Sequence, residues 1–198
     1  MKGLRIGLLG GSFNPAHEGH RHISLLALQR LGLDVVWWLV SPQNPLKPED
    51  GMAAFDERFA GAERIARHPR IHVSDIEVRL GTRYTIDTLR ALSRRHRRDR
   101  FVWIIGADNL SQMPKWRDWT NIFEMVPIAV FARPTYSAHA LAGAAARRYA
   151  RNRLPDRAAA LLADRKPPAW VFLHTQLHPA SATEIRLESL TGKPGVPM

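Results

Sequence analysis

Short apolar runs of strand length alternate along this chain with stretches whose apolar residues recur at helical spacing. Two parallel strands must be joined by a crossover, usually a helix, so this alternation is typical of an α/β fold with a parallel sheet. The third run is interrupted by polar residues and is the least regular. Strands are predicted at Leu4–Leu9, Val35–Val40, Ile71–Val73 (extending toward Val78), Phe101–Ile105, Ile128–Phe131 and Trp170–Leu173.

Helices are predicted between these strands. From His17 to Leu31, apolar residues lie about one helical turn apart, which makes a single buried stripe against the sheet. With 198 residues, the chain is predicted to form one domain, residues 1–198. Further helices are predicted at Phe55–Arg67, around Leu89, over about 138–165 as a peripheral insertion rich in Ala and Arg, and over about 181–190 near the C-terminus.

Composition and charge exclude several classes of protein. There is no cysteine, which rules out disulfide scaffolds, thiolate metal sites and cysteine nucleophiles. The N-terminal apolar run is too short for a signal peptide or a membrane span, so a cytoplasmic protein without membrane contact is expected. The 29 Lys and Arg residues exceed the 18 Asp and Glu residues, giving a net charge of +11 that favours anionic partners. Composition indicates no oligomeric state.

The most informative segment follows the first predicted strand. It runs from Gly10 to Pro15 through small and polar residues and continues to His17 and His20. Small residues after a strand let backbone N–H groups approach an anion, and the next helix offers the positive end of its dipole. Two histidines three residues apart share one face of a helical turn. This segment therefore predicts a phosphate site with two convergent donors.

The same segment has four other interpretations. A dinucleotide-binding turn needs G-x-G-x-x-G and an acidic residue after the second strand, and both are missing. A Walker A loop appears nowhere in the chain. A zinc site built on His17, Glu18 and His20 lacks the i, i+4 spacing of H-E-x-x-H. The fourth interpretation is structural: the two histidines merely cap or solvate the start of a helix and bind no ligand. This alternative stays open.

Other positions have both a functional and a structural interpretation. Gly106 and Asp108 follow a buried strand at its carboxyl end, where open α/β sheets bind ligands, although Asp108 also suits a helix cap. Lys47 lies in a proline-rich loop that could present a cation to phosphate, or it is a surface charge. Trp116 and Trp119 would lie one turn apart in a helix, a spacing more often used for core packing.

Two further segments are predicted to begin helices. Tyr84 and Thr85 precede an amphipathic stretch, where exposed N–H groups can hold a carboxylate or simply be capped. Ser181 and Glu184 form a capping box, which explains a last short helix without any ligand. Basic clusters such as Arg94–Arg98 lack interleaved aromatic residues, so no specific nucleic-acid binding is expected.

The segment Gly10–Pro15 followed by His17-x-Gly19-His20 resembles the signature of the HxGH nucleotidyltransferases. The rest of the chain resembles the bacterial nicotinate mononucleotide adenylyltransferases within that superfamily. The resemblance runs in family order from Gly10 to Arg186 and so covers nearly the whole chain. Its further landmarks are Pro42-x-Asn44-Pro45-x-Lys47, Tyr84-Thr85-x-x-Thr88-Leu89, Gly106-Ala107-Asp108-x-Leu110, Trp116, Arg133-Pro134 and Ser181-x-Thr183-x-Ile185-Arg186.

This resemblance implies a Rossmann-like three-layer sandwich with a mostly parallel central sheet, the HxGH nucleotidyltransferase fold. It implies transfer of AMP from ATP to nicotinate mononucleotide, giving deamido-NAD and pyrophosphate in NAD biosynthesis. Mg²⁺ would be bound mainly through ATP phosphates, with no metal site on the protein. The implied site residues are His17, His20 and Arg186 for catalysis; Gly10, Gly11, Ser12, Phe13, Gly106, Asp108, Ser181 and Thr183 for ATP; Lys47 for phosphate; and Tyr84, Thr85 and Trp116 for nicotinate mononucleotide.

Other functions stay open at this point. A relative on the same fold could use nicotinamide mononucleotide or a phosphopantetheine acceptor instead. The motif around Asn44 and Lys47 and the presence of Trp116 argue against the phosphopantetheine acceptor. A basic nucleic-acid-binding module would explain the charge, but the basic clusters contain no recognisable nucleic-acid-binding motif.

Overall fold

The computed structural model describes residues 3–42, 51–133 and 136–175. Within them one seven-stranded sheet has the order β3-β2-β1-β4-β5-β7-β6, and every neighbouring pair of strands is parallel. This confirms the predicted α/β class and makes the sheet wholly parallel. The strands are β1 (Arg5–Gly11), β2 (Val35–Val40), β3 (Ile71–Ser74), β4 (Arg100–Gly106), β5 (Ile128–Phe131), β6 (Arg153–Leu154) and β7 (Trp170–Leu173).

Helices follow most of these strands, as the alternation predicts. The predicted extension of the third strand toward Val78 is wrong, because the chain turns into a helix directly after Ser74. The hydroxyl of Ser74 accepts the backbone N–H of Ile76 at 3.3 Å, which supports this turn. The α-helices are α1 (Glu18–Arg30), α2 (Phe55–Ala66), α3 (Ile76–Leu80), α4 (Thr85–Arg95), α5 (Ala107–Gln112), α6 (Trp119–Met125), α7 (Ser137–Ala142) and α8 (Ala144–Arg148).

Both faces of the sheet are covered, which gives three layers. Along β4, Trp103 and Ile105 enter the core cluster that contains α4, α5 and α6, whereas Val102 and Ile104 enter the opposite cluster, with α1 and α2. This alternation follows from the two-residue period of a strand. The sheet is therefore buried on both sides, as expected for an all-parallel sheet.

The segment rich in Ala and Arg is mainly helical, with α7, α8 and a 3₁₀ helix over Asp156–Asp164. It also supplies the edge strand β6, which pairs with β7. Asp164 forms ion pairs with Arg5 and Arg100 at the start of β1 and β4. Desolvation alone would raise the pKa of Asp164, but hydrogen bonds from the two guanidinium groups hold that pKa below its ordinary value.

The strand order reverses between β1 and β4, because β2 lies on one side of β1 and β5 lies on the far side of β4. Loops leaving the carboxyl ends of two such strands run in opposite directions and open a crevice. No helix in the described part of the chain is long and apolar enough to cross a membrane. The helix predicted over about 181–190 lies outside the described residues.

Candidate active site

A cavity of about 360 Å³ opens at the carboxyl ends of β1 and β4. One wall is formed by the loop after β1 and the start of α1, and another by the loop after β4. A third wall is formed by α3 and the segments that precede α4 and α6. The cavity is lined by these predicted site residues: Gly10, Gly11, Ser12, Phe13, His17, His20, Tyr84, Thr85, Gly106, Asp108 and Trp116.

The two histidines of the motif lie together at the start of α1. His17 is the N-cap residue and is 6% exposed, and His20 lies in the first turn. Their ring centroids are 3.9 Å apart, and the backbone N–H of His17 donates to Nδ1 of His20 at 3.2 Å. A neutral imidazole that accepts at Nδ1 carries its proton on Nε2, so Nε2–H is the donor that the His20 ring can offer.

Buried residues behind His20 fix its position, and the sequence did not indicate two of them. Phe13, with a positive φ of 48°, stacks on Trp38 at 5.1 Å and contacts the His20 ring at 4.8 Å. The indole N–H of Trp38 donates to the hydroxyl of Ser24 at 2.7 Å. That hydroxyl donates to the carbonyl oxygen of His20 at 2.8 Å. The residues Ser24 and Trp38 therefore hold the first turn of α1 against the sheet.

Gly10 is required by the close approach of the indole of Trp103. A Cβ atom at Gly10 would lie 2.6 Å from Cη2 of Trp103, and Trp103 is itself 3% exposed. We expect Gly10→Ala to destabilise the fold by about 1–3 kcal/mol through overpacking. Gly11→Ala is the matched control, because its Cβ would meet the Phe13 ring at an ordinary 3.5 Å. Equal midpoints of thermal unfolding for the two variants would contradict this prediction.

Arg58 on α2 is a buried residue to which the sequence analysis assigns no role. It is 3% exposed, and burial lowers the pKa of its guanidinium. The group donates four hydrogen bonds to carbonyl oxygens: to Ser12 at 2.6 Å, Ser41 at 2.8 Å, Ala53 at 2.9 Å and Pro42 at 3.0 Å. One side chain therefore joins the loop after β1 to the end of β2 and to the residues that precede α2.

Asn14 makes a second connection between the same two segments. Its Nδ2 donates to the carbonyl oxygen of Gly51 at 3.0 Å, and its Oδ1 accepts the backbone N–H of Ala53 at 3.3 Å. The motif after β1 is therefore held at two points, by Asn14 and by the Arg58 bond to Ser12.

The loop after β4 packs tightly around Gly106. The carboxylate of Asp108 forms an ion pair with Arg133, with 3.2 Å between Oδ1 and Nε. A Cβ atom at Gly106 would collide with Oδ1 of Asp108 and lie 2.7 Å from Nε of Arg133. Glycine is therefore the residue that lets this ion pair lie against the end of the strand.

The third wall carries the residues predicted for the second substrate. Tyr84 is the N-cap residue of α4, Thr85 is its first residue, and Arg117 lies over the Tyr84 ring at 4.7 Å. Trp116 follows a short 3₁₀ helix, whereas Trp119 begins α6, so the two tryptophans do not share a helix. Trp119 packs edge-on against two aromatic rings of the core, those of Phe123 and Tyr149.

Glu77 of α3 also lines this wall and was missed by the sequence reasoning. It is 7% exposed, and its Oε1 accepts the hydroxyl of Thr88 at 3.1 Å. The hydroxyls of Thr82 and Thr88 are also hydrogen-bonded, at 2.9 Å. Desolvation raises the pKa of Glu77 to about 7, and the Thr88 hydrogen bond opposes part of this rise.

Four of the predicted site residues lie outside the described part of the chain. They are Lys47, Ser181, Thr183 and Arg186. Their roles, like the individual roles of the residues that line the cavity, stay predictions.

Comparison with known proteins identifies the family. The sequence model of the cytidylyltransferase-like family matches residues 8–188. A protein of Parvibaculum lavamentivorans named "Probable nicotinate-nucleotide adenylyltransferase" is 56% identical over 93% of this chain and 92% of its own length. A Bradyrhizobium protein of the same name is 55% identical over 92% of this chain and 95% of its own length.

Solved structures share the fold. The structure of a Plasmodium falciparum nicotinic acid mononucleotide adenylyltransferase complexed with NaAD superposes with a TM-score of 0.68 at 16% identity. The alignment covers 93% of this chain and 83% of that one. The chain is a member of the cytidylyltransferase-like family of nucleotidyltransferases. Within it, the chain belongs to the nicotinate-nucleotide adenylyltransferases.

Proposed function

We propose that this protein transfers AMP from ATP to nicotinate mononucleotide, releasing pyrophosphate and forming deamido-NAD. The observation that carries the proposal is one cavity whose first two walls differ chemically from the third. The histidine motif and the Gly106–Asp108 loop suit a nucleoside triphosphate, whereas the start of α4 and Trp116 suit a flat ring that carries a carboxylate. The names of the close relatives support the same pair of substrates.

In this mechanism the acceptor phosphate attacks the α-phosphorus of ATP in line, without a covalent intermediate on the protein. A phosphate monoester is already anionic near neutral pH, so the reaction needs positioning and charge stabilisation rather than a strong base. Backbone N–H groups from Gly11 to Phe13 and the positive end of α1 would hold phosphate oxygens. His17 and His20 would donate to the oxygens on which charge accumulates in the transition state.

The remaining contacts are assigned by the family motif. Asp108 would accept hydrogen bonds from ribose hydroxyl groups of ATP, at the end of β4. Lys47 and Arg186 would supply positive charge to the phosphates, and Ser181 and Thr183 would contact ATP. On the opposite wall, Trp116 would stack on the pyridine ring, and backbone N–H groups at Tyr84 and Thr85 would bind its carboxylate.

Mg²⁺ would reach the site on ATP. Among the described residues, no group of three His, Asp or Glu side chains is placed to hold a metal ion, and Asp108 already pairs with Arg133. Such a site fits an ion whose ligands are phosphate oxygens and water, as Mg²⁺ prefers in nucleotide enzymes. The bound ion would neutralise charge on the phosphates, and we assign it no side-chain ligand.

The test is pyrophosphate release with ATP and Mg²⁺, using nicotinate and nicotinamide mononucleotides side by side. We expect release with the acid and a clear preference for it over the amide. Release with the amide alone would overturn the assigned substrate. Release only with a different phosphate acceptor, such as phosphopantetheine, would keep the fold and motif but reject the proposed reaction.

Replacing Trp116 tests the pyridine wall. Stacking of an aromatic side chain on a base contributes about 1–3 kcal/mol, so we expect Trp116→Ala to raise the KM for nicotinate mononucleotide about 5- to 150-fold. Trp116→Phe should keep most of the affinity, and the KM for ATP should change little in either variant. An equal rise in both KM values would contradict the assignment. Trp119→Phe, in the core beside Phe123, is the matched control.

A further inference from the structure

The wall assigned to the pyridine ring contains a buried carboxyl group that the proposed reaction does not use. Glu77 lines the same cavity as Tyr84, Thr85 and Trp116, and its partner Thr88 lies in the first turn of α4, whose N-cap residue is Tyr84. Its Oε1 accepts the Thr88 hydroxyl, and its Oε2 takes no hydrogen bond or ion pair from the part of the chain that the structure describes. A carboxyl oxygen of this kind is available to a ligand in the cavity.

We propose that Glu77 sets the preference between an acidic and an amide pyridine nucleotide and makes this preference depend on pH. In its neutral form the side chain binds the nicotinate carboxylate, and in its ionised form it disfavours the acid and accepts the nicotinamide group. The inference rests on the proposed function and deepens it.

The two protonation states of Glu77 have opposite hydrogen-bonding chemistry. A neutral carboxyl donates an O–H bond, which suits the carboxylate of nicotinate. An ionised carboxylate only accepts, so it suits the N–H₂ of nicotinamide and repels a second carboxylate in a low-dielectric pocket. Because burial raises the pKa of Glu77 to about 7, both forms are populated near neutral pH.

The charged groups around Glu77 leave it without a counter-ion. Strand β2, on which α3 packs, has no titratable side chain, and no described residue forms an ion pair with Glu77. On α3 itself, Arg79 is paired with Asp75. The other charged or titratable groups nearby are Arg83, Tyr84, Lys115 and Arg117 on the cavity wall, and Asp87 of α4, which is paired with Arg90 and Arg117.

The experiment measures kcat/KM for nicotinate and nicotinamide mononucleotides from pH 6 to pH 8 and reports their ratio. The two acceptors differ only at the pyridine substituent, so titrations of their phosphate, of ATP and of shared catalytic groups cancel in that ratio. With a pKa of about 7, the neutral fraction of Glu77 falls about tenfold over this range and the ionised fraction rises about tenfold, so the acid-to-amide ratio should fall by about tenfold to a hundredfold. A constant ratio overturns the inference.

Two variants and a control isolate the carboxyl group. Glu77→Gln keeps a donor that cannot ionise, so the ratio should stop depending on pH. Thr88→Val removes a hydrogen bond that lowers the pKa of Glu77, so the fall should move to higher pH. Glu63→Gln, on the exposed surface of α2, should keep the wild-type profile. A wild-type pH profile in folded Glu77→Gln overturns the inference.

A measurement on the unmodified protein covers the case in which Glu77→Gln fails to fold. Calorimetric titration at pH 7.5 in buffers of different ionisation enthalpy gives the protons taken up on binding. Nicotinate mononucleotide should take up more protons than nicotinamide mononucleotide, and equal uptake overturns the inference. Absence of pyrophosphate release with both nucleotides would instead reject the proposed function, whereas release at a constant ratio rejects the role of Glu77 alone.

Discussion

Replacing His20 by alanine should lower kcat about 10²–10³-fold, the loss typical of removing one preorganised donor to a charged transition state. Stability should change far less. The ring gives up its contacts with Phe13, His17 and Trp38 and the hydrogen bond from the backbone of His17, a bond that contributes about 1 kcal/mol. In a domain of this size each 1 kcal/mol corresponds to roughly 2–4 °C in the midpoint of thermal unfolding.

The measurement is pyrophosphate release under saturating ATP and acceptor, together with thermal unfolding of the same preparation. His22→Ala lies on the same helix but outside the cavity wall, so it should keep near wild-type turnover. If the loss of activity in His20→Ala merely follows the fraction of unfolded protein, then His20 is a structural residue and its catalytic assignment is wrong.

Three strands have the same bounds in the sequence analysis and in the structure, namely β2, β5 and β7. Each is an apolar run packed against the core on both faces, the pattern that a parallel sheet imposes most clearly. The first strand was predicted to end at Leu9, yet it continues through Gly10 and Gly11, which pair with Leu39 and Val40. Glycines usually mark a turn, but hydrogen bonds between strands use only backbone atoms, so Gly10 and Gly11 can extend the strand.

The predicted residues that line the cavity belong to short segments with recognisable motifs, whereas the residues that support them do not. In the sequence, Ser24 and Trp38 occupy ordinary helix and strand positions. Only the structure shows that their side chains are hydrogen-bonded to each other. Glu77 is acidic and lies in a short helix, so its burial depends on packing between distant segments. Hydropathy assigns a charged residue to the surface, and that assumption fails where a charge faces a cavity.

Arg58 carried a signal that was available in the sequence. The buried positions of α2 are 58, 62 and 66, spaced four residues apart, so Arg58 occupies the apolar stripe that Ala62 and Ala66 continue. A charged residue within such a stripe is buried with partners or is part of a site. The identity of those partners, four carbonyl oxygens on three segments, could not be predicted, because it depends on how the segments meet.

Arg58→Met should be the most destabilising single change discussed for this chain. It keeps much of the side-chain volume but leaves the carbonyl oxygens of Ser12, Ser41, Pro42 and Ala53 without the donor that now binds them. An unsatisfied buried polar group costs about 1–3 kcal/mol, and water will reach some of these oxygens, so we expect a loss of about 3–5 kcal/mol in the free energy of unfolding.

Urea unfolding measures this loss. Two further variants serve as a surface control and as a test of whether a positive charge alone is sufficient at position 58. Arg64→Met, on the exposed side of the same helix, should change the free energy of unfolding by less than about 0.5 kcal/mol. Arg58→Lys keeps the charge, but a single ammonium group with three donors cannot reproduce a planar guanidinium that donates in several directions, so it should recover only part of the stability. Because Ser12 belongs to the histidine motif, folded Arg58→Lys should also show a reduced kcat. Wild-type kcat in that variant would mean that Arg58 stabilises the fold without positioning the phosphate loop.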